Sequence, residues 1–402
     1  MKIVYHHRTH GTGAEGVHIS QIVQELRRLG NEVTVVSPVG REPSETAGEN
    51  PWVVHGGLKR RVMTKLSRVS PQIVFEGMEL GYNVAAYTKL RPLLSTRQET
   101  RNGGSQVDLI YERQAFFLGA GAYLARATQT PYFVEVNELA GEKRVRGQVL
   151  VPLAKRIERY VFQRADQIIV VSDFLKDKIA ESGVDERKIQ VMPNGVDPEI
   201  FTPTVDGAGI RDKLGIEPSS IVIGFVGWLV PWHSLEMLVE VLSLLAPKYP
   251  VRLLLVGDGV LRDSLEALAR ERGVSGRVIL AGAVPYAEVP RYVKAMDICV
   301  IPAANAYRSP IKLFEYMAMG KAVVAPDHQP IVRVMRSGES GITFRAGDQD
   351  DLRAALANLI ENQERREELG TKARAHVLQN HLWRHNAEKV MSLYEEIRCK
   401  RL

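Results

Sequence analysis

The stretch SPIKLFEYMAMGKAVVAPD, residues 309–327, joins a short loop, a helical run, a glycine stop and an apolar strand. Ser309 reads as an N-cap and Pro310 as the first helical residue, where the missing proline N–H costs nothing. The following AVVAP is apolar on both faces, the pattern of a strand covered by helices on each side of a parallel sheet. Helix, stop and two-sided strand together define one α/β unit.

The same unit recurs outward from it. KIVYH, EVTVVSP, QVDLIYE, YFVEVN and DQIIVVS supply strand candidates in the first half; SIVIGFVG, VRLLLVG, RVILAG and DICVIP precede AVVAP in the second. Helical runs separate most of them. In VHISQIVQELRRLG, Ile19, Ile22, Val23, Leu26 and Leu29 recur at spacings of three and four, as one buried helix face requires. The fold class is therefore α/β. A length of 402 residues exceeds what one core usually serves, so two Rossmann-like doubly wound domains facing an interdomain cleft are expected. The prolines and glycines of PNGVDPEIFTPTVDGAG, residues 193–209, mark the hinge. The expected division is 1–200 for the first domain, 201–380 for the second, and 381–402 for a terminal helix, LWRHNAEKVMSLYEEI, that folds back across the first.

HGTGAEG, residues 10–16, has the glycine spacing of a dinucleotide fingerprint, but two features oppose a nicotinamide cofactor. Five polar residues, His6 to His10, separate the apolar run from Gly11, and the second strand ends in Ser37 and Pro38 where a ribose-binding acid belongs. The glycines and a helix start near Val17 suit instead the border of an open cleft. Gly13, Glu15 and His18 are candidates there for an acceptor sugar or phosphate; a structural turn, with His18 simply packed, is the other reading. Glu112 and Arg113 follow VDLIY and are expected at the carboxyl edge of the sheet, where open sheets bind ligands. Asn137, after YFVEV between Glu135 and Glu138, either contacts a hydroxyl or caps a turn. Asp173 is a helix cap or an acceptor contact.

Composition narrows the class. The only cysteines, Cys299 and Cys399, give no disulfide framework or thiolate cluster, and no stretch matches a signal peptide or spanning helix, so a cytoplasmic protein is expected. The +6 formal charge is uneven. Lys59, Arg60, Arg61, Lys65, Arg68, Lys89, Arg91, Arg97 and Arg101 crowd residues 55–102, and VRGQVLVPLAKRIERYVFQR mixes cations with aliphatic and aromatic side chains. Such a face is either a solvated helix surface or one that attracts an anionic membrane, giving peripheral attachment to its inner side. No reading module accompanies the charge, so nucleic acid is not an expected partner.

Around residues 309–327, the freed N–H groups at Ile311, Lys312 and Leu313 can point at phosphate oxygens, Lys312 adds a mobile positive charge, and Glu315 can accept from a ribose diol. With VVSDFLKDKI, PNGVDPEIF, GFVGWLVPWHSLEMLVE and LLLVGDG in order, this stretch resembles the retaining glycosyltransferases of family 4, which have the GT-B fold, over nearly the whole chain. The resemblance implies transfer of a sugar from a nucleoside diphosphate sugar, held mainly by the second domain, to a hydroxyl acceptor on the first. No metal or cofactor beyond that donor is expected. Polysaccharide or glycoconjugate biosynthesis, with a sugar, a lipid-linked sugar or a small hydroxyl compound as acceptor, is the expected setting.

Carried over by position, Glu315 resembles the second glutamate of the family's paired-glutamate pattern, while Tyr307 stands where the first would be. Gly227 matches the glycine of a second signature, whose arginine and lysine are replaced by Trp228 and the PWHS run. That run resembles a tryptophan–histidine form of polysaccharide-type members. Donor contacts are expected from Gly227, His233, Gly257, Tyr307, Arg308, Ser309, Ile311, Lys312, Leu313 and Glu315, with Lys312, Glu315 and Asn137 closest to the chemistry. Two alternatives remain at this point: a sugar-nucleotide epimerase on the same scaffold and a non-catalytic nucleotide-sugar-binding subunit.

Overall fold

The computed structural model describes residues 1–11, 13–37, 72–94, 107–142, 147–207 and 209–401. They form two compact units, Met1–Met192 with Arg384–Leu402, and Pro193–Trp383.

The first unit carries strands β1 (Lys2–His6), β2 (Glu32–Val36), β3 (Leu109–Arg113), β4 (Tyr132–Val136), β5 (Gln167–Val170) and β6 (Ile189–Val191). They pair in parallel in the order β2-β1-β3-β4-β5-β6. Helices α1 (Gly13–Arg28), α2 (Gln72–Leu94), α3 (Ala120–Thr128), α4 (Val151–Arg164) and α5 (Asp173–Glu181) connect them. α1 buries Ile19, Ile22, Val23 and Leu26 against Ile3, Tyr5, Leu109, Tyr111 and Phe133. Each such aliphatic side chain contributes about 1.5–3 kcal/mol by leaving water. The helix begins at Gly13, four residues before the expected Val17, so Gly13 and Gly16 are helical and only Gly11 belongs to the loop.

The second unit opens with the single turn α6 (Ile210–Lys213) and alternates β7 (Ile221–Val226), α7 (Leu235–Leu245), β8 (Val251–Val256), α8 (Arg262–Glu271), β9 (Val278–Gly282), α9 (Val289–Ala295), β10 (Ile298–Val300), α10 (Ile311–Ala318), β11 (Ala322–Pro326), α11 (Gln329–Val332) and β12 (Ile342–Phe344). Helices α12 (Gln349–Glu361) and α13 (Gln363–Asn380) follow. The sheet order is β12-β11-β10-β7-β8-β9. Consecutive strand residues serve opposite cores: Val222, Leu254 and Val323 face one, Ile223, Leu255 and Val324 the other. This explains why the strands read as continuous apolar runs. The winding reverses between β1 and β3 and between β7 and β10, so each unit has its ligand-favouring crevice beyond the carboxyl ends of those strands.

The last helix, α14 (Trp383–Arg401), places Ala387, Val390, Leu393, Tyr394 and Ile397 in the first unit's core. The passage between units falls at Met192/Pro193 rather than residue 200. The PNGVD segment is tied into the second unit, where the Asn194 amide Nδ2 donates to the Ser309 carbonyl at 2.6 Å and Val196 forms a parallel bridge with Leu382. None of the described helices is long and apolar enough to cross a membrane. Lys59, Arg60, Arg61, Lys65, Arg68, Arg97 and Arg101 lie outside the described residues. Lys89 donates to the Ser37 carbonyl at 2.6 Å, and Arg91 lies over the Tyr87 ring.

Candidate functional site

At the β7/β10 reversal the chain leaves β7 through Gly227, whose φ of +147° disfavours any side chain. A Cβ there would lie 2.6 Å from Lys312 Nζ. The equivalent turn after β8 is Gly257, with φ +136°, and its hypothetical Cβ would fall 1.9 Å from the Gly227 carbonyl oxygen. The two bare turns therefore touch through backbone. Gly257→Ala is expected to destabilise the protein by about 3 kcal/mol or more, since backbone must move and the residue is held at positive φ. A denaturant midpoint equal to that of the parent would contradict the close packing of these turns.

Lys312, in the first turn of α10, projects its Nζ into this corner, 3.8 Å from the centroid of the Phe225 ring. The atom is buried and has no hydrogen-bond partner. Burial pulls the amine down to about 7, with the Glu315 charge opposing the shift more weakly. The expected mobile charge is thus a held one, because the Phe225 face and the Gly227 turn enclose it. His233 packs edge-on to the same ring, with centroids 5.1 Å apart. Burial first, then the Lys312 charge, pushes its pKa down to about 2, so it is neutral, and its Nδ1 is buried without a partner.

One turn beyond Lys312, Glu315 is 5% exposed and accepts from the Tyr286 hydroxyl at 2.8 Å. Burial raises its carboxyl to about 7, against the pull of that hydroxyl and of Lys312. The next side chain, Tyr316, accepts from the Val226 N–H at 2.7 Å, fixing α10 to the end of β7. Neither Tyr286 nor Tyr316 was among the residues expected from sequence. Tyr286 sits in a short turn after β9 with no spacing signal; Tyr316 is visible only as one more aromatic on a buried helix face.

Ser309 corrects another expectation. Pro310 is the N-cap and Ile311 the first helical residue, while the Ser309 hydroxyl accepts from the Asn194 N–H at 3.1 Å. The serine is spent on holding the PNGVD segment, and the helix start relies on backbone alone. Leu313 N–H already donates to the Pro310 carbonyl at 3.0 Å, which leaves Ile311 and Lys312 as the first-turn N–H groups with no intrahelical acceptor. Tyr307 is buried, and the Arg308 guanidinium lies 5.6 Å from its ring centroid, directly ahead of the cap.

The first unit has its own polar cluster at the β1/β3 reversal. Its hub is Glu135, 1% exposed, which meets His18 Nε2 at 2.9 Å, the Arg113 guanidinium, the Asn137 amide at 2.7 Å and the Tyr111 hydroxyl at 3.2 Å. Although burial opposes ionisation, the His18 and Arg113 charges hold this carboxyl far below the usual range. His18, Arg113 and Asn137 are thus brought together, beside α1's first turn with Gly13 and the exposed Glu15. Glu112 is not open to a ligand. It is fully buried, shares a 2.6 Å contact with His6 Nδ1, accepts from the Tyr132 hydroxyl at 2.5 Å and is covered by Gly121. Strand alternation turns it away from the side taken by Arg113. His7 is buried with Nε2 lacking a partner, and burial lowers it to about 3. Asp173 is not the cap of α5; the Ser172 hydroxyl accepts from the Leu175 N–H at 3.4 Å. Among the described residues no group of three or more His, Cys, Asp or Glu is placed to hold a metal ion.

Paired six-stranded parallel sheets, each with a polar corner at its topological reversal, define a two-domain α/β protein of the GT-B type. Residues 15–200 match the family "Glycosyltransferase Family 4" and residues 208–376 match "Glycosyl transferases group 1". The chain is 27% identical over 406 residues to the D-inositol 3-phosphate glycosyltransferase of Nocardia farcinica, an alignment covering 96% of this chain and 85% of the relative. In fold it is similar to Thermosynechococcus elongatus sucrose-phosphate synthase, with TM-score 0.74 at 16% identity and all of both chains covered. It is also similar to Anabaena HepE in complex with UDP and glucose, with TM-score 0.71 at 17% identity, covering 98% of this chain and 100% of that one. The chain belongs to the family 4 glycosyltransferases of the GT-B fold and is a hexosyltransferase-type enzyme.

Proposed function

We propose that the chain transfers a sugar from a nucleoside diphosphate sugar to a hydroxyl acceptor with retention at the anomeric carbon. The observation that carries this reading is the buried, unpartnered Lys312 Nζ beside the Gly227 turn, with Glu315 one turn further along α10. An amine held out of water with no hydrogen-bond partner is costly unless a ligand supplies one, and an anion does so best. A diphosphate does so, with its remaining oxygens placed to accept from the Ile311 and Lys312 N–H groups and from Arg308. The Glu315 carboxylate then accepts from the ribose hydroxyls.

In the proposed reaction the bond from the anomeric carbon to the donor phosphate oxygen breaks, and the acceptor oxygen bonds to the same face. The acceptor proton passes to the departing diphosphate. Lys312 stabilises the charge that develops on that group, the electrostatic contribution expected to dominate. No metal or cofactor beyond the donor takes part. The His18, Arg113 and Asn137 group around Glu135 is proposed to bind the acceptor hydroxyls, with Asn137 nearest the reacting sugar. Acceptors of the proposed class include sugars, small polyols such as the inositol phosphate named for the Nocardia relative, and lipid-linked sugars at the inner face of a membrane. Polysaccharide or glycoconjugate biosynthesis is the proposed setting.

Glu315→Ala should raise the donor KM by about ten- to a hundredfold, as the loss of charged hydrogen bonds worth roughly 1.5–3 kcal/mol requires. The donor is first chosen by thermal shift against UDP, GDP and ADP and their sugars, and donor turnover is then followed. An unchanged donor KM would remove Glu315 from the site. An inverted anomeric product, read by proton NMR coupling, would overturn the stereochemical reading.

A further inference from the structure

We infer that the outer faces of α2, α3 and α4 in the first unit form a docking surface for an anionic lipid bilayer. This deepens the proposal of a lipid-linked acceptor and rests on it only for the use of such docking, since the surface is independent of the donor site. The large apolar side chains exposed among the described residues are unevenly placed. Ile73, Val74, Leu80 and Val84 lie on α2, Tyr123 on α3, and Val149 and Leu153 at the start of α4. The second unit has only Leu244, Val260 and Val332, each on a different element. Scattered single apolar residues need no explanation; a group on three adjoining helices does.

A specific contact joins two parts of the group. The Glu76 carboxylate on α2 accepts from the N–H groups of Val149 and Leu150, both at 2.7 Å, and so fastens the first turn of α2 to the start of α4. The N-terminal part of α2, which carries Ile73 and Val74, therefore adjoins the start of α4, which follows Val149 and carries Leu153. The charge pattern then selects the partner. Lys155, Arg156 and Arg159 are exposed along α4, and Arg126 is exposed on α3.

The carboxylates of these three helices are all engaged inward. Glu76 bonds the α4 start, Glu79 pairs with Arg8 at 2.5 Å, and the 5%-exposed Glu158 accepts from the Ala140 N–H at 2.9 Å. The outer faces therefore present cations and aliphatic groups with no exposed carboxylate among the described residues. Cations beside short aliphatic side chains fit phosphate headgroups above an acyl boundary. A nucleic acid would leave the aliphatic side chains unmatched.

The test uses the full chain and co-sedimentation with phosphatidylcholine vesicles, with and without 30% phosphatidylglycerol. The expected result is binding to the anionic vesicles only, lost in 0.5 M salt. The Lys155→Glu, Arg156→Glu, Arg159→Glu triple variant should lower the partition coefficient at least about tenfold. A second variant on another helix, Ile73→Ser with Val74→Ser, should lower it as well, so that misfolding of one does not decide the matter. Stabilisation by nucleoside diphosphates in thermal shift should persist in both; its loss in the parent would count against the donor site and not against this surface. Equal sedimentation with neutral and anionic vesicles would overturn the proposal. So would a parent that is dimeric by light scattering and becomes monomeric on Ile73→Ser with Val74→Ser, because the face would then be a contact between copies.

Discussion

Replacing Lys312 by alanine is expected to lower kcat/KM for sugar transfer by about a hundred- to a thousandfold, the usual cost of removing one group that stabilises a developing anion. The unliganded protein should respond in the opposite sense. Lys312 Nζ is buried against the Phe225 ring with no hydrogen-bond partner, so native structure is maintained despite it. Lys312→Met, which retains the stem volume, is expected to melt about 2–4 °C higher for each kcal/mol recovered.

The pH profile separates this effect from general repacking. The amine sits at about 7 in the folded chain against an ordinary 10.5, so between those values the unfolded chain holds a proton that the native chain lacks. Stability of the parent therefore rises with pH across that window, and the penalty is complete below pH 7. Glu315, raised to about 7 from 4.5, tilts the curve the other way between those lower values. Lys312→Met should remove the upper rise and leave the lower fall. Melting curves from pH 5 to 10 measure both; an unchanged rise above pH 7 would mean that Lys312 is not the buried amine.

Glu135→Ala should have the largest effect on the first unit, about 3–5 kcal/mol of stability, because it leaves the Arg113 guanidinium buried without its anion. Four side chains from α1, β3 and the turn after β4 converge on this carboxylate, so its loss also releases His18 and Asn137. Its contribution is present above the ordinary carboxylate range near 4.5 and is lost as pH falls well below it, since the native pKa is strongly depressed. Glu135→Gln, which keeps the shape, should recover packing but not the charge. Urea titration at pH 7 and pH 4 distinguishes the variants. A loss under 1 kcal/mol for Glu135→Ala would show that the cluster is solvated.

Much of this architecture was legible from residues 309–327 and their repeats, because strands buried on both faces have to be written as unbroken apolar runs. KIVYH and AVVAP are strands with those residues. The three-residue edge strands β6, IQV, and β12, ITF, were not legible: they are too short to show a period and owe their extension to the neighbouring strand. At the candidate site, Lys312 and Glu315 stood out as charges on an apolar helix. What sequence could not convey was their surroundings. Phe225, Tyr286 and Tyr316 come from other elements, and Glu135 acquires its partners only when β1, β3, β4 and α1 assemble. Ser309 misled because its hydroxyl satisfies both a capping pattern and a tertiary bond, and Asn194, 115 residues earlier, took it.

Whether the first turn of α10 receives the donor diphosphate is decided by a crystal structure of the chain with its preferred nucleoside diphosphate. A phosphate oxygen is expected within about 3 Å of Lys312 Nζ, with ribose hydroxyls on Glu315. A nucleotide bound elsewhere, with Lys312 still enclosed by protein alone, would contradict it.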